Sequence, residues 1–267
     1  MKTVISKDGT QIAFDQIGHG PVVILVDSAL ASRTRCVKLA KLLAEEFTVI
    51  NYDRRGRGDS TDIQPYAVER EVEDIEALID TLGGSAFIFG SSSGAVLALE
   101  AANKLPSKIK KQILYEPPFI VDDSRPPMPD DFLDQVKGLL AENKRSNALK
   151  LFFSTAMGIP GIFIFIMSLM PSWSQSKAVA HTLPYDLEIL GNTQQGKPLS
   201  ADRWAAAKMP TLVLTGEKSE TFFRKTGDAL SEVLPSAEHK ILKDQHHGSV
   251  VMSPNVVASE MTQFFKA

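Results

Sequence analysis

Apolar positions along this chain keep two rhythms, and the two alternate. Val22 to Val26 is an unbroken run of β-branched residues and leucine, the pattern of a strand buried on both faces. Similar short runs recur at Thr48 to Tyr52, Ala86 to Phe89, Gln112 to Tyr115 and Thr211 to Thr215. Shorter candidates are Gln11 to Asp15, entered by an Asp8-Gly9 turn, and Lys240 to Leu242. Between them the spacing is helical. Arg35 to Glu46 is one such stretch. In Val68 to Leu82, residues Val72, Ile75, Leu78, Ile79 and Leu82 share one stripe with acids opposite, and Gly83-Gly84 ends it. Ala95 to Lys104 follows the Ala86 run, and a last helix opens at Ser253-Pro254, a capping serine with proline at the first helical position. This alternation predicts an α/β fold: a mostly parallel sheet with helices on both faces. Ligands on such sheets bind at the carboxyl ends of the strands.

From Glu116 to about Arg203 the strand rhythm stops. Pro117-Pro118 and Arg125-Pro126-Pro127-Met128-Pro129 break the chain, and helical stretches follow at Asp131 to Asn143, Ser146 to Met157, Ile162 to Met170 and Ser176 to Thr182. The expected organisation is a core made of residues 1–116 and 204–267, with residues 117–203 inserted as a helical lid over the active end of the sheet. The longest apolar run, Ile159 to Met170, is broken by Pro160 and Gly161 and is shorter than the roughly 20 residues a bilayer span takes. A buried helix is expected there.

Composition narrows the function classes. A net charge of −3, with no basic cluster beyond Arg54-Arg55-Gly56-Arg57, argues against a nucleic-acid binder. The one cysteine, Cys36, forms neither an internal disulfide nor a metal cluster, which fits a reducing compartment. Met1 to Gly9 has no apolar core of a signal peptide. The expectation is a cytoplasmic protein without a membrane partner, cofactor or metal.

The chemistry is signalled at Gly90-Ser91-Ser92-Ser93-Gly94, a Gly-x-Ser-x-Gly pentapeptide. Alone, such a Gly-Ser-Ser-Ser-Gly is more often a flexible linker. Between a strand and a helix it becomes a nucleophile elbow, with small residues flanking the sharp turn and Ser92 projecting from it. The backbone N–H groups that open the helix can hold an anion.

Several segments together resemble the α/β-hydrolase family. Asp53-Arg54-Arg55-Gly56-Arg57-Gly58-Asp59-Ser60 resembles that family's Asp-x-Arg-Gly-x-Gly-x-Ser loop, whose work is structural. Gln245-His246-His247-Gly248, with Pro254 seven residues beyond His247, resembles its terminal histidine loop, and Tyr115-Glu116-Pro117-Pro118-Phe119 the strand end where its lid departs. The resemblance implies the α/β-hydrolase fold and a serine nucleophile activated by a histidine base, because a serine hydroxyl needs a base within reach. His247 is chosen over His246 by its spacing to Pro254 and by the freedom Gly248 gives the loop. The family usually places its acid after the strand corresponding to Thr211 to Thr215, where this chain has Ser219. Glu116, at the strand end after the elbow helix, is the expected substitute, with Glu220 and then Asp244 as alternatives. The oxyanion donors implied are the N–H groups of Ser93 and Ala29, with Ser28 next, although Asp27-Ser28-Ala29 replaces the usual His-Gly.

Phe119, Phe152, Phe153, Met157, Phe163, Phe165, Met167, Met170 and Trp173 make the insertion rich in aromatic and methionine side chains. Most are expected as packing within the lid and some as pocket wall, for a small apolar acyl substrate. The expected activity is hydrolysis of an ester or related acyl bond by Ser92, His247 and Glu116. Lactone, thioester and C–C cleavage share this triad and stay open. The alternative is a catalytically silent binder of a small ligand on the same fold.

Overall fold

The apolar runs become one eight-stranded sheet in the computed structural model, which describes residues 1–267. Its strands are β1 (Lys2–Ile5), β2 (Gln11–Ile17), β3 (Val22–Val26), β4 (Thr48–Tyr52), β5 (Ala86–Ser91), β6 (Ile109–Tyr115), β7 (Thr211–Gly216) and β8 (Ala237–Leu242), in the order β1-β2-β4-β3-β5-β6-β7-β8. β2 pairs antiparallel with β1 and β4, and every other pairing is parallel.

Helices cover both faces, which is why the central strands are apolar throughout. Val23 and Leu25 point to one side, where α1 (Val37–Leu43), the short α10 (Ser249–Met252) and α11 (Pro254–Lys266) supply Leu39, Leu43, Val250, Val257 and Met261. Ile24 and Val26 point to the other side, toward α2 (Val68–Thr81), α3 (Ser93–Lys104) and α9 (Thr221–Val233). α1 is shorter at both ends than the Arg35 to Glu46 spacing predicts. β1 and α9 were not expected from the sequence. β1 is an exposed edge strand without a buried face to imprint a pattern. α9 carries Gly227 in its interior because the His239 ring from β8 lies where a Cβ would stand.

The connection between β6 and β7 contains no strand. It holds α4 (Phe132–Ala141), α5 (Arg145–Leu151), a π-helical turn at Phe152–Ala156, α6 (Gly161–Ser168), α7 (Pro171–Val179) and α8 (Leu183–Leu190). The Ile159 to Met170 run is not the buried helix expected. On α6 only Ile164 is buried, while Phe163 and Phe165 are 56% and 58% exposed. A helix apolar all round carries no periodicity to mark its inner face, so apolarity alone predicted burial that packing does not deliver. No helix is long and apolar enough to cross a membrane.

Candidate active site

Three strand ends and one late loop converge on a cavity of about 350 Å³. At the end of β5 the chain reverses through Ser92, whose φ of 54° is left-handed for a residue with a Cβ. The turn closes because its flanks are bare. A Cβ on Gly90 would fall on the Gly94 carbonyl, and one on Gly94 would fall on the carbonyls of Val26 and Asp27, where β3 passes beneath. Ser92 N–H donates to the Tyr115 carbonyl at 2.9 Å, tying the elbow to β6.

Glu116 is the first residue beyond β6. It is fully buried and also has a left-handed φ, 48°. One carboxylate oxygen accepts the Gly216 N–H from the end of β7 at 2.6 Å. The other accepts from His247 Nδ1 at 2.7 Å. A carboxylate can only accept here, so Nδ1 is the donor and, in the neutral ring, Nε2 keeps its lone pair. Phe223 stacks on the His247 ring at 4.7 Å, and the Tyr115 hydroxyl holds the His246 carbonyl at 2.8 Å. Ser92 and His247 line the same cavity, and neither Ser92 Oγ nor His247 Nε2 is hydrogen-bonded within the chain.

Neither of the other acids expected from the sequence is hydrogen-bonded to His247. Glu220 lies along the cavity wall but is 60% exposed, its closest cation Arg125 at 3.8 Å. Asp244 is 61% exposed and paired with Lys218 at 2.8 Å. Ser219 leaves its buried hydroxyl without a partner. His246 turns back on its own loop, its Nδ1 accepting the Gly248 N–H at 3.1 Å.

Beside the elbow, the turn after β3 presents Ser28 and Ala29 to the cavity. The Ser28 N–H is taken by the carboxylate of Asp27 at 2.7 Å, whereas the Ala29 N–H has no partner in the chain. Ser93 opens α3, so its N–H has no partner within the helix. Asp27 itself is buried and accepts from the Cys36 thiol at 3.2 Å. Burial, and then the adjacent Asp27 carboxylate, push the Cys36 thiol well above its ordinary range.

Apolar wall comes from Phe152, Phe153 and Met157 on and after the π-turn, with Leu187, Leu190 and Phe222. The other residues named from the sequence pack elsewhere. Phe119 is buried against Trp204, Trp173 is buried beside Phe153, and Phe163, Phe165 and Met170 face outward. Arg35 and Arg125 add two cations to the wall; Arg125 lies over the Phe222 ring and donates to the Ala156 carbonyl at 2.8 Å.

The arginine loop after β4 is a buried ion network. Asp53 accepts from Arg33 and from the Asp59 N–H. Arg55 spans Asp74, at 2.9 and 2.7 Å, and Asp8 at 2.9 Å. Arg54 grips both oxygens of Glu71 at 2.7 Å. Its remaining donor, together with Arg57, reaches Asp186 on α8.

Asp186 belongs to the His181 to Asp186 segment, which the sequence offers as a source of polar contacts without giving it a place. It is buried, lines the cavity and accepts from Arg54 at 2.7 Å, Arg57 at 2.6 Å and the Ser93 hydroxyl at 2.8 Å. Burial works to raise its pKa, but Arg57 and Arg54 outweigh it and hold the carboxyl below its ordinary value. The signal available was a pair of acids, Asp186 and Glu188, in the mostly apolar Leu183–Leu190 stretch, of which only Asp186 is buried. No group of three or more His, Cys, Asp or Glu side chains is arranged to hold a metal ion.

Comparisons with known proteins agree with this architecture. The family model described as "Alpha/beta hydrolase family" matches residues 19–260. The chain is similar to an alpha/beta hydrolase from Sphaerobacter thermophilus, with 45% identity, a TM-score of 0.90, and 99% of this chain and 100% of that one covered. It is 30% identical over 149 residues to an uncharacterized hydrolase of Bacillus subtilis (strain 168), a match spanning 54% of each chain. A bifunctional esterase/perhydrolase of Acinetobacter calcoaceticus is 22% identical over the whole of both chains. On this evidence the chain belongs to the alpha/beta hydrolase family of hydrolytic enzymes.

Proposed function

We propose that the protein is a serine hydrolase that cleaves an ester or related acyl bond of a small, largely apolar substrate through an acyl-enzyme. The observation that carries this reading is the buried Glu116 bonded to His247 Nδ1 in the same cavity that Ser92 enters from a strained elbow. Ser92 Oγ attacks the acyl carbon while its proton passes to His247 Nε2. The carbonyl electron pair moves onto oxygen, where the Ser93 and Ala29 N–H groups receive it. The pair returns, the bond to the leaving oxygen breaks, and His247 gives that oxygen the proton. Water then adds to the acyl carbon, His247 takes its proton, and the acid leaves as the proton returns to Ser92. Glu116 keeps the proton on Nδ1 and balances the imidazolium.

Residues 117–203 act as the cap over this cavity, and Phe152, Phe153 and Met157 set its apolar selectivity. With a single buried thiol, the protein is read as cytoplasmic. A silent ligand binder is the second reading, favoured by Ser219 at the position where the family usually has an acid.

Labelling with a fluorophosphonate probe separates the two. Rapid modification mapped to Ser92 and absent from Ser92→Ala is the expected result. A folded wild-type protein that stays unlabelled would establish the silent binder instead.

A further inference from the structure

We infer that Asp186 is a positioning residue that holds both oxyanion donors from the cap. This rests on the proposed roles of Ser93 and Ala29. The Ser93 hydroxyl donates to Asp186 at 2.8 Å, which fixes the side chain of the residue whose N–H forms one donor. The second link runs through Arg57. One of its amino groups donates to Asp186 at 2.6 Å, and the other donates to the Ser28 carbonyl at 2.8 Å. That carbonyl and the Ala29 N–H belong to one peptide group. In a trans peptide the two point in opposite directions, so anchoring the carbonyl on Arg57 aims the N–H the other way. A cation on the carbonyl also polarises the peptide and strengthens its N–H as a donor.

The network has the properties that preorganisation needs. Asp186 lies in a helix of the β6–β7 connection, while Ser93 opens α3 and Ala29 lies in the turn after β3, so one carboxylate bridges the inserted helices and the carboxyl end of the sheet. Its oxygens and both arginines are buried, where competing water is excluded. Arg54 and the Thr182 hydroxyl, 3.1 Å from Arg57 Nε, fix the remaining geometry. The donors therefore reach their working positions only with α8 seated, and displacing it releases both together.

The test is steady-state hydrolysis of 4-nitrophenyl esters by full-length Asp186→Asn and Ser93→Ala, beside affinity for a trifluoromethyl ketone. That ketone adds to Ser92 Oγ: an O–C bond forms, the Oγ proton goes to His247, and the carbonyl pair becomes an oxyanion. Outright loss of one oxyanion donor costs about 10²–10³ in kcat, so misaligning both through Asp186→Asn is expected to lower kcat by about 10- to 100-fold with KM within about threefold. Ketone affinity should fall in parallel. Ser93→Ala removes one hydroxyl, leaves the ion network in place and should lower kcat by a smaller factor, roughly 3- to 10-fold. It also decides the matter if Asp186→Asn does not fold. A network that only stabilises the fold would lower Tm and leave kcat and ketone affinity of the folded variants at wild-type values, and that result overturns the inference. A wild-type chain that neither turns over esters nor takes up the ketone at Ser92 would overturn the hydrolase reading along with it.

Discussion

Two loops leave adjoining parts of the sheet at its carboxyl end, and they treat polar groups in opposite ways. After β4, the buried charges of Asp53, Arg54, Arg55 and Arg57 all meet partners, most of them through two or more hydrogen bonds. At the elbow after β5, Ser92 Oγ and, across the cavity, His247 Nε2 meet none. Buried charge is tolerated where it is fully paired, and removing one partner is costly because the other is left uncompensated. Unspent polar groups beside a cavity are groups held for something outside the chain. A dense run of charge is thus the scaffold here, and in the proposed reading a bland Gly-Ser-Ser-Ser-Gly is the reactive element.

The largest effect is expected at Glu116. Glu116→Gln keeps an acceptor for the Gly216 N–H but favours the wrong His247 tautomer. It should lower kcat by about 10³- to 10⁴-fold, as loss of a triad carboxylate does, with Tm little changed. A rate within tenfold of wild type would remove Glu116 from the triad. The scaffold loop should respond in the opposite sense. Arg55→Met strands Asp74 and should cost about 3–5 kcal/mol in denaturant unfolding, with ester kcat retained at a temperature where the variant is folded.

A pH series sharpens the same contrast. Burial raises Asp74 to about 6 even beside Arg55. A carboxyl raised in the folded state favours folding in its protonated form, so its contribution is lost as pH rises toward 6. Asp8 and Asp186 run the other way. For Asp8, burial opposes ionisation, but the Arg55 hydrogen bond and others lower it to about 2. The stability these two acids contribute is present above about pH 4, the unfolded carboxyl range, and is lost as pH falls below it. Arg55→Met removes Arg55 from Asp74 and should therefore lose more stability at pH 8 than at pH 5, read as Tm at each pH. The smallest effect belongs to Asp244→Asn: the exposed pair with Lys218 contributes little, and kcat should stay within about twofold. A large fall would return Asp244 to consideration as the acid.

How much of this was legible in the sequence depends on how local each signal is. The parallel strands announced themselves because burial on both faces leaves no polar position in Val22 to Val26. The elbow was legible because its steric demands fall on Gly90 and Gly94, within two residues of Ser92. α6 misled because a run apolar on every side looks the same whether it lies in a core or on the outside. The place of Asp186 was not legible because its partners, Arg54, Arg57 and Ser93, stand 132, 129 and 93 residues away in the chain.

Side-chain periodicity and local backbone sterics are enough to dictate the alternation of strands and helices, the place of the sharp turn at Ser92 and the helical character of the β6–β7 connection. Which acid meets His247 is settled by packing, since Glu116, Glu220 and Asp244 differ in direction and burial rather than in local pattern. Packing alone decided too that a carboxylate from α8 closes the ion network behind Ser93 and the Ser28–Ala29 peptide. Hydrogen bonds and buried charges act across space, over a few ångströms, and the chain order of the groups they join leaves no periodic trace.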